Sequence, residues 1–266
     1  MQKILDKIVE AKKAEVEHIK TFADLDWYKH FSVDFDRKCI SLKENLLMEN
    51  STGIIAEFKR RSPSKGWFKT EDYAAPAIVM CYERFGAAGV SILTDTEFFG
   101  GDLSDLTVCR TITPLPVLRK DFIIDEIQVQ QAKAYGADVI LLIAAILSPT
   151  RVEELAIEAK KYGLEVLLEL HGENELAHIC NEVDLVGINN RNLQTFEVDI
   201  NHSIRLSKLL PVDKVKIAES GIDDIETIKK FKDAGFKGFL IGEKFMKEPD
   251  PGIAFEQFVQ KLKQGK

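Results

Sequence analysis

Cysteine is scarce in this chain: Cys39, Cys81, Cys109 and Cys180 are the only four in 266 residues, and no two form a CxxC pair. Their spacing excludes a disulfide framework and a zinc cluster as the organising element, and points to reduced thiols of the kind found in the cytosol. Long apolar runs are also missing; none approaches the roughly 18 residues that a membrane span requires. The opening MQKILDKIVEAKKAEVEHIK sets Ile4, Leu5, Ile8 and Val9 at helical spacing among charges. It therefore reads as a helix and not as a signal-peptide core. With 16 Gly and 8 Pro, the composition is far from fibrous or disordered chains. Positive charge is in deficit, 36 Lys and Arg against 43 Asp and Glu for a net charge of -7, which disfavours nucleic acid or an anionic membrane as a partner. No Walker A run and no GxSxG is present, so the common P-loop and hydrolase signatures are absent. The expectation from these absences is a soluble, cytoplasmic protein.

What is present is rhythm. Short apolar, β-branched runs start at Ile54, Val90, Pro116, Val139, Glu165, Leu185, Val215 and Gly238, at intervals suited to one strand, one helix and two loops. Helical-period segments such as DEIQVQQAKAYGAD and SPTRVEELAIEAKKYGLE lie between them, and Gly136, Gly163 and Gly235 stand where helix C-caps belong. The runs are nearly continuous in apolar character, as strands of a parallel sheet buried on both faces should be. Eight such units predict an α/β fold, a single (β/α)8 TIM barrel of the ordinary ~250-residue size. An open doubly wound sheet is the alternative, but KRRSPSKG follows the first strand in place of a Gly-rich dinucleotide fingerprint. The residues before the first strand predict an N-terminal helical extension of two helices, 3–20 and 34–49. The expected organisation is one domain over 1–266, with extension 1–49 and barrel 50–266.

Residues i and i+2 of a strand share a face, and ionisable or amide side chains recur at the C-terminal ends of these strands. Glu57 and Lys59 close the first, Lys120 the third, Glu169 and His171 the fifth, Asn189 and Arg191 the sixth, and Glu219 the seventh. One such residue is ordinarily a solvated rim group. Five strands with the same habit predict a shared site at the C-terminal mouth, where barrel enzymes keep their chemistry. Two lysines among three carboxylates is a setting that separates pKa values into an acid and a base. AESGI and LIGEK, ending the last two strands, offer backbone N–H groups for a phosphate. KRRSPSKG reads as a mobile basic flap carrying Lys59, Arg60, Arg61 and Lys65, and Phe98, Phe99 and Phe122 would suit a flat aromatic substrate. His171 and His178 lack partners at metal-ligand spacing and are expected to be structural; no metal is assigned.

IAEFKRRSPSKG, LTDTEFFGG, LRKDFIID, the ELH after EVLL, GINNRNLQTFEVD, IAESGI and FLIGEKFM, in this order and spacing, resemble the indole-3-glycerol-phosphate synthase family of tryptophan biosynthesis. The resemblance runs from the leading helices to the last one. It implies ring closure, decarboxylation and dehydration of 1-(2-carboxyphenylamino)-1-deoxyribulose 5-phosphate, without a cofactor. It also implies Lys120 as the general acid toward the ketone oxygen and Glu169 as the general base of the dehydration. Lys59, beside Glu57, would hold the substrate carboxylate and act as an acid later. Asn189, Glu219 and Ser220 would hold the ribulose hydroxyls and orient the lysines. Ser62, Gly221, Gly242 and Glu243 match the phosphate positions, and Phe99, Phe122, Leu141 and Leu193 the ring pocket; Arg191 is a further substrate-binding candidate. At Glu243 some members carry a serine, so its carboxylate is expected to turn away while its backbone N–H binds. Asn192 stands where an acid also occurs, and no role is assigned to it. The partner expected is thus a small phosphorylated molecule, and the default assembly a monomer. A Schiff-base aldolase, with lysine holding a ketose, and a non-catalytic phosphate-binding protein are the rival readings.

Overall fold

Eight strands close on one another: β1 (Ile54–Phe58), β2 (Gly89–Leu93), β3 (Val117–Lys120), β4 (Val139–Ile143), β5 (Glu165–Leu170), β6 (Leu185–Asn189), β7 (Val215–Glu219) and β8 (Gly238–Ile241). Every neighbouring pair is parallel, and β8 returns to β1 to complete the barrel. This computed structural model describes residues 4–265 apart from 33, 71 and 193–196. Strands such as VILLI and IIAEF are buried at every position, because one face fills the barrel and the other meets the surrounding helices.

Among the described residues the extension forms three helices and not two: α1 (Ile4–Lys20), α2 (Leu25–Phe31) and α3 (Leu42–Leu47). Residues 34–41, expected to be helical, are instead drawn into extended contact with the strand starts. Asp138 accepts from the Arg37 guanidinium at 2.6 Å and the Ile40 amide at 2.9 Å, and Glu165 accepts from the amides of Leu42 and Lys43. Asp138, which is buried, and Glu165, which is half-buried, thus offer better partners to this segment than a helix would. Among the helices that follow are α4 (Ala75–Phe85), α5 (Leu103–Ile112), α6 (Glu126–Ala134), α7 (Pro149–Lys161), α8 (Ile200–Leu206), α9 (Ile225–Asp233), α10 (Glu243–Met246) and α11 (Pro251–Gln264). Side chains of Asp102, Asp125, Ser148, Asp199, Asp224 and Asp250 cap six of them, satisfying N–H groups that a helix start leaves open.

Leu42 and Leu46 of α3 join Ile55, Val139, Leu167, Leu185, Val215 and Ile217 in the barrel interior, and Ile8 of α1 belongs to the same cluster, with Phe122, Leu141 and Ile143. The extension therefore stops the bottom of the barrel with α3 and reaches the mouth with α1. Among the described residues, no helix is long and apolar enough to cross a membrane.

Candidate active site

The barrel register brings the strand ends into one ring. Asn189 pairs with Glu219 across β6 and β7, and Glu169 pairs with Gly187 across β5 and β6. Gly187 is the small residue this requires: a Cβ there would stand 2.0 Å from Glu219 Oε1, so glycine is what lets the Glu219 carboxylate lie across β6. Gly242 plays the same part at β8, where a Cβ would come within 2.3 Å of Glu57 Oε1.

Lys120 lies between two carboxylates, its Nζ 2.8 Å from Glu219 Oε2 and 3.3 Å from Glu169 Oε2. Asn189 donates through Nδ2 to the other oxygen of Glu169 at 3.0 Å and accepts the Arg191 amide on Oδ1. A second pair stands at β1, with Lys59 Nζ 2.7 Å from Glu57 Oε1. Burial pushes the Glu219 carboxyl up to about 7, helped by Glu169 and opposed by Lys120; its Oε1 has no partner among the described residues. Burial also works against ionisation of Glu169, but Lys120, His171 and Asn189 outweigh it and hold this carboxyl far below its ordinary value. For Lys120 burial opposes the charged form, and Glu219, Glu169 and Glu57 overcome it, so the ammonium is held well above the ordinary lysine range. Two carboxyls of one ring are thereby separated in proton affinity, the arrangement that divides acid from base.

These groups line a cavity of about 220 Å³. It brings together Glu57, Lys59, Ser62, Phe99, Lys120, Phe122, Leu141, Glu169, Asn189, Arg191, Glu219, Ser220, Gly221, Gly242 and Glu243. Leu193, the remaining candidate of the sequence reading, lies outside the described residues. The rings of Phe99 and Phe122 stand 5.9 Å apart and tilted by 39°. Across the barrel, Ser220 and Gly221 follow β7 with backbone φ of 68° and 65°, left-handed values that are strained for a serine. The Glu243 carboxylate meets Arg191 Nη2 at 3.3 Å, so the acid beside this seat is matched by a guanidinium.

Two expectations change. The segment after β1 contains a two-stranded hairpin, Arg61–Ser62 against Gly66–Trp67, and its first two arginines are already engaged. Arg60 is buried and grips Asp105 through both guanidinium nitrogens at 2.5 and 2.9 Å, while Arg61 donates to the Glu97 carbonyl and stacks over Trp67. Arg60 and Arg61 hold the hairpin and are not free basic groups for an anion. His178 is structural, bridging the carbonyls of Glu175 and Leu147, but His171 lies 3.2 Å from Glu169 Oε1.

Sequence reasoning missed the contribution of α1. Ile4, Leu5 and Ile8 line the cavity, and Lys12 is buried at 2% exposure, 2.9 Å from Asp121 and 3.1 Å from Asp95. A signal was available: the buried stripe of α1 runs Ile8, Lys12, Val16, Ile19, and a lysine on such a stripe calls for buried acids.

A sequence model described as "Indole-3-glycerol phosphate synthase" matches residues 5–258. The chain belongs to the indole-3-glycerol phosphate synthase family. A synthase of this name from Bacteroides thetaiotaomicron is 48% identical over 250 residues, covering 88% of this chain and 95% of the relative. Another, from Albidiferax ferrireducens, is 38% identical over 97% of this chain and 98% of the relative. Solved structures share the barrel at lower identity. A 3-hexulose-6-phosphate synthase superposes with a TM-score of 0.64 at 15% identity, over 79% of this chain and 100% of that one. The tryptophan synthase alpha subunit of Legionella pneumophila gives 0.61 at 14%, over 84% and 95%. At such identity the likeness speaks to fold alone, and it is the synthase family match that shows the chain to be an enzyme of this type.

Proposed function

We propose that the mouth of this barrel converts 1-(2-carboxyphenylamino)-1-deoxyribulose 5-phosphate to indole-3-glycerol phosphate, carbon dioxide and water, as a carboxy-lyase step of tryptophan biosynthesis. The observation that carries this reading is Lys120, seated between Glu219 and Glu169 at 2.8 and 3.3 Å inside a cavity with aromatic rings on one side and glycine-rich strand ends on the other. The anthranilate ring lies against Phe99, Phe122 and Leu141, and the phosphate meets Ser62 and the amides of Gly221, Gly242 and Glu243. Holding both ends of the substrate makes ring closure an oriented intramolecular step.

Lys120 protonates the ketone oxygen as the ring carbon attacks. Glu219 tunes this donor: when it takes a proton near pH 7, the carboxylate hold on the ammonium weakens and the proton is released more readily. Loss of carbon dioxide restores aromaticity, so no electron sink is asked of the protein. Glu169, held ionised, removes the proton of the dehydration, with Asn189 fixing its second oxygen. Lys59 binds the substrate carboxylate beside Glu57 and supplies the proton with which the hydroxyl leaves. Arg191, Asn189, Glu219 and Ser220 serve the ribulose chain. A Schiff base at Lys120 is disfavoured because two carboxylates keep it an ammonium, and the nucleophile would have to be the free amine.

The chain is proposed to act as one unit, extension and barrel together, as a monomer in the cytoplasm, on a small phosphorylated substrate and without a cofactor. The test is indole fluorescence with authentic substrate. Lys120→Met should lose about 10²- to 10⁴-fold in kcat; near-normal turnover, or a borohydride-trapped adduct at Lys120 in the unsubstituted protein, would overturn the assignment.

A further inference from the structure

Asn190 has no task in the reaction as set out, yet it is a costly residue to bury. It follows β6 at 3% exposure, and its Oδ1 is buried with no hydrogen-bond partner among the described residues. An unpaired buried oxygen is destabilising, so a side chain that carries one calls for a compensating role. The other end of the amide has one: Nδ2 donates to the Ser220 carbonyl at 2.7 Å. The backbone N–H of Asn190 donates to the carbonyl just before it, that of Glu219, at 2.8 Å. One residue thus grips two successive peptides at the end of β7. Asn190 is itself held fast, because its own carbonyl accepts from the Asp199 amide at 2.9 Å and Arg191 beside it bridges to Val198. Val198 of the same segment covers the turn: a Cβ on Gly221 would stand 2.3 Å from Val198 Cγ1.

The shape of the peptide unit decides what this grip does. The peptide bonds of the described residues are trans, and in a trans peptide the carbonyl and the N–H point in opposite directions. With the Glu219 and Ser220 carbonyls drawn toward Asn190, the N–H groups of Ser220 and Gly221 face the other way. Both of those residues line the main cavity, as Asn189 and Arg191 do, whereas Asn190 lines a second cavity beside α1. Successive N–H groups turned to one side form a concavity for an anion. The backbone that turns them so is strained at Ser220, with φ of 68°, and is not fixed by Gly221, with φ of 65°, where the missing Cβ leaves the peptide free to rotate. We propose that Asn190 is a positioning residue for the phosphate. Without touching the phosphate, it holds the Ser220–Gly221 peptide so that the Gly221 N–H meets a phosphate oxygen. Its hydrogen bond to the Ser220 carbonyl also polarises that peptide and strengthens the same N–H as a donor. This rests on the reading of the turn after β7 as part of the phosphate seat.

The test is equilibrium titration of the full-length chain, followed by ligand-observed NMR, with indole-3-glycerol phosphate and with the same compound lacking its phosphate, indole-3-glycerol. The ratio of the two dissociation constants is the preference for the phosphate. Asn190→Leu keeps the size of the side chain and removes the donor. In it the preference should fall about 10- to 100-fold, as expected when a hydrogen bond to a charged group is spoiled. The fall should come from the phosphorylated compound, with indole-3-glycerol bound within about 2-fold of its affinity for the unsubstituted chain. Asn190→Ala, which leaves space in place of an apolar group, should give the same fall, so that a folding fault peculiar to leucine does not decide the outcome. A preference within about 3-fold of the unsubstituted chain in both variants would overturn the role of Asn190. So would an equal weakening for both compounds, which would make the side chain a packing group. The unsubstituted chain separates the two readings: if it binds both compounds alike, the phosphate seat itself fails. If it prefers the phosphorylated one and both variants keep that preference, only the role of Asn190 fails.

Discussion

Lys12→Met would expose how strongly α1 is tied to the barrel. Lys12 sits at 2% exposure with Asp121 at 2.9 Å, Asp95 at 3.1 Å and Glu15 at 2.7 Å. Methionine keeps most of the stem packing and removes the charge, leaving Asp95 and Asp121 buried without their shared cation. Taking one partner from a buried pair costs roughly 3–5 kcal/mol. The lower end, about 3 kcal/mol, is expected because Asp121 keeps Arg119 Nη2 at 3.0 Å, Thr94 Oγ1 at 2.6 Å and the Phe122 amide at 2.8 Å. In a chain of this length that is a fall in Tm of about 6 to 12 °C. The pH dependence carries a sign. Burial favours protonation of Asp121, but Lys12 and Arg119 hold its carboxyl well below its ordinary 3.8. Its contribution is thus present above about pH 4 and lost as the pH falls. Burial likewise opposes the charge on Lys12, yet Asp121, Asp95 and Glu15 raise it above its ordinary 10.5, so its contribution holds below that value and is lost on further rise. Neutral pH lies inside both windows. Urea denaturation of Lys12→Met and the unsubstituted chain at pH 7 and pH 3.5 measures this: the gap should be largest at pH 7 and narrower at pH 3.5. A gap below about 1 kcal/mol at pH 7, or one that widens on acidification, would refute the reasoning.

Two further outcomes follow from the mouth. Gly242→Ala places a Cβ 2.3 Å from Glu57 Oε1 and 2.8 Å from its Cβ, forcing the Glu57–Lys59 pair aside. A loss of about 10- to 100-fold in kcat/KM is expected for a destabilisation of roughly 1–3 kcal/mol, readable by steady-state kinetics and thermal melting. Glu219 binds its proton more tightly in the folded chain, pushed up to about 7 from 4.5, first by burial and then by Glu169. Its stabilising effect is complete below pH 4.5 and disappears as the pH rises through about 7. The stability of Glu219→Gln relative to the unsubstituted chain should therefore improve between pH 5 and pH 8; a constant difference would contradict the raised proton affinity.

Much of the barrel is written locally. Segments such as VILLI and EVLLEL bury both faces, and their unbroken apolar character announces parallel strands whatever the neighbours are. Gly136, Gly163 and Gly235, read as helix ends, have φ of 96°, 73° and 87°, because a left-handed cap is a demand of the backbone itself. The site candidates were legible for a related reason: charged side chains at five strand ends conflict with burial, and that conflict is visible one residue at a time. Residues 34–41 were not, since their helical pattern is overridden by Asp138 and Glu165, which lie about a hundred residues away in sequence. The arginines after β1 look alike in sequence with Lys65, and only the presence of Asp105 across the loop makes Arg60 a buried strut.

By itself the sequence determined the eightfold strand rhythm, the parallel pairing and the membership of Glu57, Lys59, Lys120, Glu169, Asn189 and Glu219 in one mouth, because periodicity and strand parity are properties of neighbouring residues. Tertiary structure alone decided which carboxylate meets which lysine, that Glu219 and not Glu169 holds its proton near neutrality, that α1 is pinned to the mouth through Lys12, and that Asn190 grips the turn after β7. Those outcomes depend on distances of a few ångströms between strands far apart in the chain, and on burial, which changes the energy of a charge only once the barrel has closed around it.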